Sequence, residues 1–166
     1  NQDTIYTGAK FTRLYFKDCY IDGTTDFIFG PSTALFENCM IHSKRNSYVT
    51  AASTPKEAKY GYVFKHCKLT AEPGVDKVYL GRPWRPYAYT LFIECELGKH
   101  IVPAGWHNWG KQSNEETARY MEYKNTGEGA NVSERVAWSK QLTKKEAEAV
   151  TVDAIFGTQS NWNPID

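Results

Sequence analysis

Hydrophobic and polar residues follow one short phrase that occurs four times in the first hundred residues. Each copy reads Phe-x-x-Cys-x-(Ile/Leu), and polar residues alternate with the apolar ones. The four copies are Phe16–Ile21, Phe36–Ile41, Phe64–Leu69 and Phe92–Leu97. Alternation of this kind is typical of a strand, and it places the Cys and the aliphatic residue two positions later on one face. The pattern therefore predicts four equivalent strands.

The spacing of these phrases predicts how the strands are arranged. Their cysteines, Cys19, Cys39, Cys67 and Cys95, follow one another at intervals of 20, 28 and 28 residues. This period is too short for a strand-helix-strand unit and too irregular for a coiled coil, but it suits a solenoid. Stacking such strands about 4.8 Å apart buries a column of Cys beside a column of Ile and Leu. We expect an all-β parallel β-helix.

The four cysteines also allow a different interpretation, in which two disulfides stabilise a secreted protein. Thiols stacked on neighbouring coils can be close but rarely have disulfide geometry. Thiols are also small, apolar and commonly buried, which favours the repeat. Both interpretations stay open at this point, with the buried column preferred.

The last quarter of the sequence has a different character. The segment Thr143-Lys-Lys-Glu146 has the form of a capping box and predicts a short helix through Ala147 to Val150. We expect this helix and its loops to cover the open end of the solenoid, because caps protect an exposed strand edge.

Composition and charge narrow the classes of function. The chain has 166 residues, 41% hydrophobic and 14% aromatic, which predicts one domain over residues 1–166 with a real core. A formal net charge of +1 provides no basic field for nucleic acid. No run approaches the roughly 20 apolar residues of a membrane span. Because the chain opens on Asn1 and the chemistry starts at Gln2, we expect further coils upstream.

Two aspartates recur at the interval of one coil. Asp26 follows Cys19 by seven residues, and Asp3 precedes Asp26 by 23. Stacking would place the two carboxylates about 5 Å apart in backbone terms, where each affects the ionisation of the other. Arg82, two coils further on, is the cation expected to keep Asp26 ionised and oriented. Taken singly, either aspartate is more typical of a structural turn, and the joint placement favours catalysis.

Four aromatic residues are candidates for a sugar-binding surface. Trp84 comes two residues after Arg82, and Tyr6, Phe29 and Trp106 complete the set. Flat apolar rings suit the faces of sugars, although an Arg-Pro-Trp segment is more often a packing feature.

Four segments, Gln2–Tyr6, Gly23–Gly30, Leu80–Trp84 and the stretch from Gly105 to position 127, resemble motifs of the pectinesterase family, in family order and with family-like spacings over essentially the whole chain. Gln2–Tyr6, Gly23–Gly30 and Leu80–Trp84 are similar to the family's Gln-Asp-Thr-Leu-Tyr, Gly-Thr-Val-Asp-Phe-Ile-Phe-Gly and Leu-Gly-Arg-Pro-Trp motifs. Gly105-Trp106, Trp109 and the segment 122–127 resemble its carboxy-terminal signature. The resemblance implies a right-handed parallel β-helix that hydrolyses the methyl esters of pectin, a homogalacturonan.

The resemblance also implies a role for each candidate residue. Asp26 would be the nucleophile, and Asp3 the general acid and then the general base. Gln2 would stabilise the oxyanion, and Arg82 would hold the nucleophile. Trp84, Tyr6 and Phe29 fall on sugar-contacting positions. No metal or other cofactor is implied, and we expect a secreted or periplasmic protein that is monomeric when complete.

Two departures from the family pattern bear on activity. Thr25 replaces the usual valine, a near-isosteric change expected to spare activity. A second oxyanion glutamine, one coil upstream of Gln2, has no counterpart in the sequence, and losing one such donor costs on the order of 100-fold in rate. The 166 residues alone are therefore expected to show weak activity or none.

Two other functions fit part of the sequence. A β-helical pectate lyase or galacturonan hydrolase would share substrate and fold, but a lyase requires clustered acidic calcium ligands that Asp3 and Asp26 do not provide. A catalytically impaired β-helix that binds plant polysaccharide would retain binding without releasing methanol.

Overall fold

A computed structural model describes residues 4–157 of the chain as a parallel solenoid with three sheets. Each full coil contributes one strand to each sheet in turn, so chain order and spatial order run together. Sheet A contains β1 (Ile5–Tyr6), β4 (Ile28–Gly30), β7 (Tyr48–Ala52) and β10 (Tyr79–Gly81). Sheet C contains β3 (Tyr20–Gly23), β6 (Met40–Ser43), β9 (Lys68–Ala71) and β12 (Glu96–Leu97).

Sheet B is the longest of the three and continues past the last full coil. It contains β2 (Arg13–Lys17), β5 (Thr33–Glu37), β8 (Tyr62–Lys65), β11 (Tyr89–Ile93), β13 (Arg119–Tyr123) and β14 (Lys140–Gln141). Every strand pairing among residues 4–157 is parallel. The predicted all-β parallel β-helix is therefore confirmed.

The repeated phrase forms columns inside the solenoid, as predicted. Phe16, Phe36, Phe64 and Phe92 are register partners, with ring centroids 4.8, 4.5 and 4.4 Å apart along the column. The aliphatic positions align in the same way, from Ile21 through Ile41 and Leu69 to Leu97. Each coil therefore places a residue above one of the same type in the next coil. For the phenylalanines this gives near-parallel ring contacts at the spacing of the strands.

The prediction that each phrase is one strand is wrong, because the phrase turns a corner between sheets B and C. The residue before each cysteine has a left-handed backbone, with φ between 50° and 54° at Asp18, Asn38, His66 and Glu94. At each corner the N–H of that residue donates to a carbonyl of the next coil, as from Asn38 to Lys65 at 3.0 Å. Asp, Asn and His tolerate this conformation better than most side chains.

The cysteines are free thiols, which decides against the two-disulfide interpretation. Cys67 donates to the carbonyl of Phe36 at 3.4 Å, and Cys95 donates to that of Phe64 at 3.4 Å. The hydrogen bond with the Cys67 thiol and burial together raise the pKa of Cys39. Thiols held in this way are poor nucleophiles, because the thiolate is the reactive form.

The predicted capping box is present, but its helix lies elsewhere than expected. α2 (Lys144–Glu148) begins at Thr143, which accepts from the N–H of Glu146 while the Glu146 side chain accepts from Thr143. Together with α3 (Val152–Phe156) it lies on the outer face of sheet B, and α1 (Asn114–Thr117) precedes β13. The helix therefore does not lie over the open end of the solenoid as expected, whereas the loop before β14 packs there, with the Trp138 ring 6.0 Å from that of Tyr120 on β13.

The reason for this placement is that sheet B is apolar on both faces. Leu35, Val63 and Leu91 are fully buried on the outer face and form a second core with Ile155 and Phe156. A side chain also fixes the covering segment, because the Lys65 ammonium donates to the carbonyl of Val150. None of the helices between residues 4 and 157 has the length and apolar character to cross a bilayer.

Replacing Phe64 with Ala should lower the free energy of unfolding by about 3–5 kcal/mol, because it opens a cavity between two stacked rings in a rigid column. Phe11→Ala is the matched control, since Phe11 is 60% exposed, and it should change stability by less than about 0.5 kcal/mol. Equilibrium denaturation measures both values. Equal losses of unfolding free energy in the two variants would contradict the view that the stacked phenylalanine column is the main source of stability.

Candidate active site

Asp26 lies at a turn that leads into sheet A, next to two buried hydrophobic residues. Phe27 and Ile28, which follow it, are fully buried, and its own N–H donates to the carbonyl of Tyr48 at 2.9 Å. Its backbone is left-handed, with φ of 46°. Such a conformation is uncommon outside glycine, but Asp adopts it more readily than most side chains, and here it forms a turn as it does at the corners between sheets B and C. The turn therefore fixes the carboxylate at the surface of the coil.

Arg82 reaches Asp26 from two coils further on, as predicted. Its Nε donates to Oδ1 at 3.0 Å and its Nη2 to Oδ2 at 2.7 Å. The side chains are 21% and 12% exposed, so the pair is largely shielded from solvent. A two-point contact between a guanidinium and a carboxylate fixes orientation as well as charge. The arginine thus holds the aspartate in one rotamer.

Two aromatic rings in turn position Arg82. The guanidinium carbon lies 3.9 Å from the ring centroid of Tyr48 and 3.8 Å from that of Trp109. Contacts of this kind are attractive because the ring faces carry partial negative charge. Sequence reasoning did not identify Tyr48, and it quoted Trp109 only as part of a motif. The sequence feature that could have identified Trp109 as a ring of the site is its position three residues after Trp106 in the carboxy-terminal motif.

A cluster of rings surrounds this arginine on the same wall. Tyr48 stacks on Tyr79 with centroids 5.3 Å apart, and His107 meets both rings edge-on at 5.4 and 5.3 Å. Burial, with a further contribution from the charge of Arg82, lowers the pKa of His107. The imidazole is therefore neutral near pH 7 and adds no second cation beside Asp26.

Three of the four predicted sugar-binding aromatics form one row. Tyr6 stacks on Phe29 with centroids 4.9 Å apart, and Phe29 contacts Trp84 at 5.7 Å. The row follows from the register of sheet A, which pairs Tyr6 with Phe29. Tyr6 is 59% exposed, so the row presents a ring surface to solvent, and its other two rings follow Asp26 by three residues and Arg82 by two.

Trp106 is not part of this surface, and its prediction as a substrate-binding residue is wrong. It is 1% exposed and stacks on Tyr120 with centroids 4.3 Å apart inside the solenoid. Trp106 bridges to Gly81, and a Cβ added to that glycine would lie 3.3 Å from the indole and 2.3 Å from Thr50 Oγ1. The glycine therefore leaves room for an inward-facing tryptophan.

Two of the predicted catalytic residues, Gln2 and Asp3, lie outside the described residues. In the part of the chain that is described, residues 4–157, no three His, Cys, Asp or Glu side chains come together in a group that could hold a metal ion. The described part of the site consists of one clamped carboxylate, its arginine, and two sets of aromatic rings.

Comparisons with known proteins identify the family. The pectinesterase family model matches residues 1–159. The chain belongs to the pectinesterase family. Pectinesterase 31 of Arabidopsis thaliana is 44% identical over 147 residues, which cover 88% of this chain and 46% of that protein. The resemblance seen in the motifs is thereby confirmed.

Solved structures of family members match the fold. A pectin methylesterase from carrot superposes with a TM-score of 0.83 at 33% identity, over 93% of this chain and 54% of that one. A pectin methylesterase solved in complex with a hexasaccharide superposes with a TM-score of 0.76 at 30% identity, over 96% of this chain and 54% of that one. The fold is the right-handed parallel β-helix. The chain spans about half the length of the relatives it matches.

Replacing Arg82 with Gln should raise the pKa of His107, because the imidazolium would no longer form beside a fixed cation. Burial, the larger cause of the shift, remains, so the pKa should stay below its ordinary value. Nitrogen-proton NMR titration measures the change. His100, whose pKa burial and His42 lower to about 4, should not respond. An unchanged His107, or an equal shift at His100, would contradict the geometry.

Proposed function

We propose that the protein hydrolyses the methyl esters of polygalacturonan, the backbone of pectin, and releases methanol. The observation that carries this proposal is the two-point clamp of Arg82 on Asp26 beside an exposed row of aromatic rings. An oriented carboxylate is a nucleophile for an ester carbonyl, and the rings offer a surface for the sugars on either side. The family assignment does not favour the lyase and hydrolase alternatives.

In the proposed reaction, an oxygen of Asp26 forms a bond with the ester carbonyl carbon. The carbon–oxygen bond to the methoxy group breaks, and methanol leaves with a proton from Asp3. Water then attacks the same carbonyl carbon, Asp3 takes its proton, and the bond to Asp26 breaks to give galacturonate. Arg82 keeps Asp26 in one orientation throughout, which saves the entropy of positioning it.

The register of sheet A supports the proposed position of Asp3. Ile5 pairs with Ile28 and Tyr6 with Phe29, an offset of 23 residues that equals the spacing from Asp3 to Asp26. Continued upstream, this offset would place the two aspartates side by side. Gln2, next to Asp3, is the residue we assign to the negative oxygen of the tetrahedral intermediate.

The proposed substrate is an extended polysaccharide rather than a small ester. Tyr6, Phe29 and Trp84 form a continuous row, and we assign them to sugar contact. The related pectin methylesterase solved with a hexasaccharide supports an oligosaccharide ligand for this groove. The proposed chemistry uses carboxylates, an amide and a guanidinium, and requires no cofactor. Secretion or periplasmic export and a monomeric state remain expectations that follow from the substrate.

Replacing Asp26 with Asn should lower kcat for methanol release from methylated pectin by a factor on the order of 10⁴ or more, because the amide is not a nucleophile. Gas chromatography of methanol measures the rate in the protein at its full natural length. Asp22→Asn, a matched loss of one carboxylate on β3, should stay within about twofold. Binding of pectin without methanol release in either form would instead support the non-catalytic alternative.

A further inference from the structure

A short turn, residues 107–110, holds the Trp109 ring of the candidate active site. Trp109 has a left-handed backbone with φ of 62°, a conformation that bulky side chains rarely adopt. Its N–H donates to Nδ1 of His107 at 3.0 Å, and the next N–H, that of Gly110, donates to Oδ1 of Asn108 at 2.8 Å. These two side-chain acceptors therefore stabilise a backbone conformation that the tryptophan itself disfavours.

His107 is joined to the Arg82 region through its backbone as well as its ring. Its N–H donates to the carbonyl of the residue before Arg82 at 3.1 Å. Its ring meets those of Tyr48 and Tyr79 edge-on, with centroids 5.4 and 5.3 Å away. The guanidinium lies against the rings of Tyr48 and Trp109. His107 therefore contacts both residues whose rings lie against the arginine, one through its ring and the other through Nδ1.

The hydrogen bond from Trp109 fixes the protonation state of the His107 ring. Nδ1 accepts a backbone N–H, so the imidazole is neutral and carries its own proton on Nε2. An imidazolium has an N–H at both nitrogens, so it could not accept this hydrogen bond and would add a second cation beside Arg82. The groups that face the ring are Tyr48 from β7, Tyr79 from β10 and the guanidinium. Two phenols and a cation offer no negative charge that would stabilise the protonated form.

We propose that His107 is a positioning residue for the ester hydrolysis, because its neutral ring keeps both aromatic rings against Arg82 and thereby keeps the guanidinium on Asp26. His107 acts through the arginine and does not itself touch the reacting atoms. Burial and the charge of Arg82 lower the pKa of His107 below its ordinary value of 6.5. Activity should therefore fall as the pH drops through that lowered pKa. The inference rests on the proposed function, since it names a further residue and a pH dependence of that same reaction.

Two variants of the protein at its full natural length separate the acceptor at Nδ1 from the ionisation of the ring. His107→Ala removes both, and it should lower kcat for methanol release near pH 7 about tenfold or more, because a small displacement of a catalytic group is enough to cost this factor. His107→Asn places a side-chain oxygen where Nδ1 lies, as Asn108 already does for the next N–H, and it does not titrate. It should restore kcat to within about threefold of the wild-type value.

The pH profile of kcat/KM is a measurement that a merely structural role of His107 would not change. In the wild type the acid limb of the profile should include the protonation of this imidazole. In His107→Asn the limb should move to lower pH, because no imidazole remains there to be protonated. His66→Asn is the matched control, since it removes an exposed imidazole at a corner whose equivalent in another coil is Asn38. It should leave both kcat and the acid limb unchanged.

Nitrogen-proton NMR provides a second measurement that does not depend on catalysis. In the wild type the backbone amide of Trp109 should titrate with the same midpoint as the His107 imidazole, and His107→Asn should abolish that titration. Three results would overturn the proposal: equal kcat in His107→Ala and His107→Asn, an acid limb that does not move in His107→Asn, or a Trp109 amide that does not follow the imidazole. A wild-type protein that releases no methanol would contradict the proposed function, and the NMR titration would still support or overturn the positioning of Trp109 by His107.

Discussion

The register with which one coil stacks on the next is the constraint that everything else at this site depends on. Parallel pairing between β4, β7 and β10 brings Asp26 and Arg82, which are far apart in sequence, into a two-point contact. Side chains alternate between the two faces of a strand, so a slip of one residue would turn the arginine into the core. Columns of phenylalanine, cysteine and aliphatic residues in the interior hold that register and so keep Arg82 opposite Asp26.

The site is rigid because each functional group is supported by another one behind it. Arg82 orients Asp26, and the rings of Tyr48 and Trp109 orient Arg82. The left-handed backbone at Asp26 forms a turn that Asp tolerates, and the two buried residues that follow it keep that turn in place. An enzyme gains from such preorganisation because no free energy is spent on ordering the nucleophile when substrate arrives.

The fold could be predicted from the sequence because its signal is a repeat. Four copies of one phrase specify a stacked interior whatever the lengths of the loops between them. The corner inside each phrase could not be predicted, because a left-handed residue such as Asn38 leaves the hydrophobic pattern unchanged. That corner shows why face assignments made by counting residues fail across a bend.

The errors at the site have the same physical origin. Trp106 and Trp109 differ by three residues, and the inward orientation of Trp106 depends on its pairing with Gly81 and its stacking on Tyr120, which the sequence spacing does not show. The contact of Tyr48 with Arg82 depends on a coil lying between the two partners, which no short motif reports. The capping box at Thr143 predicts a helix but not which surface it covers, and here the outer apolar face of sheet B is the surface that α2 and α3 cover.

The most direct measurement is a crystal structure of the protein at its full natural length with a methylated oligogalacturonide, using Asp3→Asn to slow turnover. The account predicts an ester carbonyl carbon about 3–3.5 Å from an Asp26 carboxylate oxygen, with Arg82 still paired and residue 3 on the same wall of the groove. An ester bound on another face of the solenoid, or residue 3 turned away from Asp26, would contradict it.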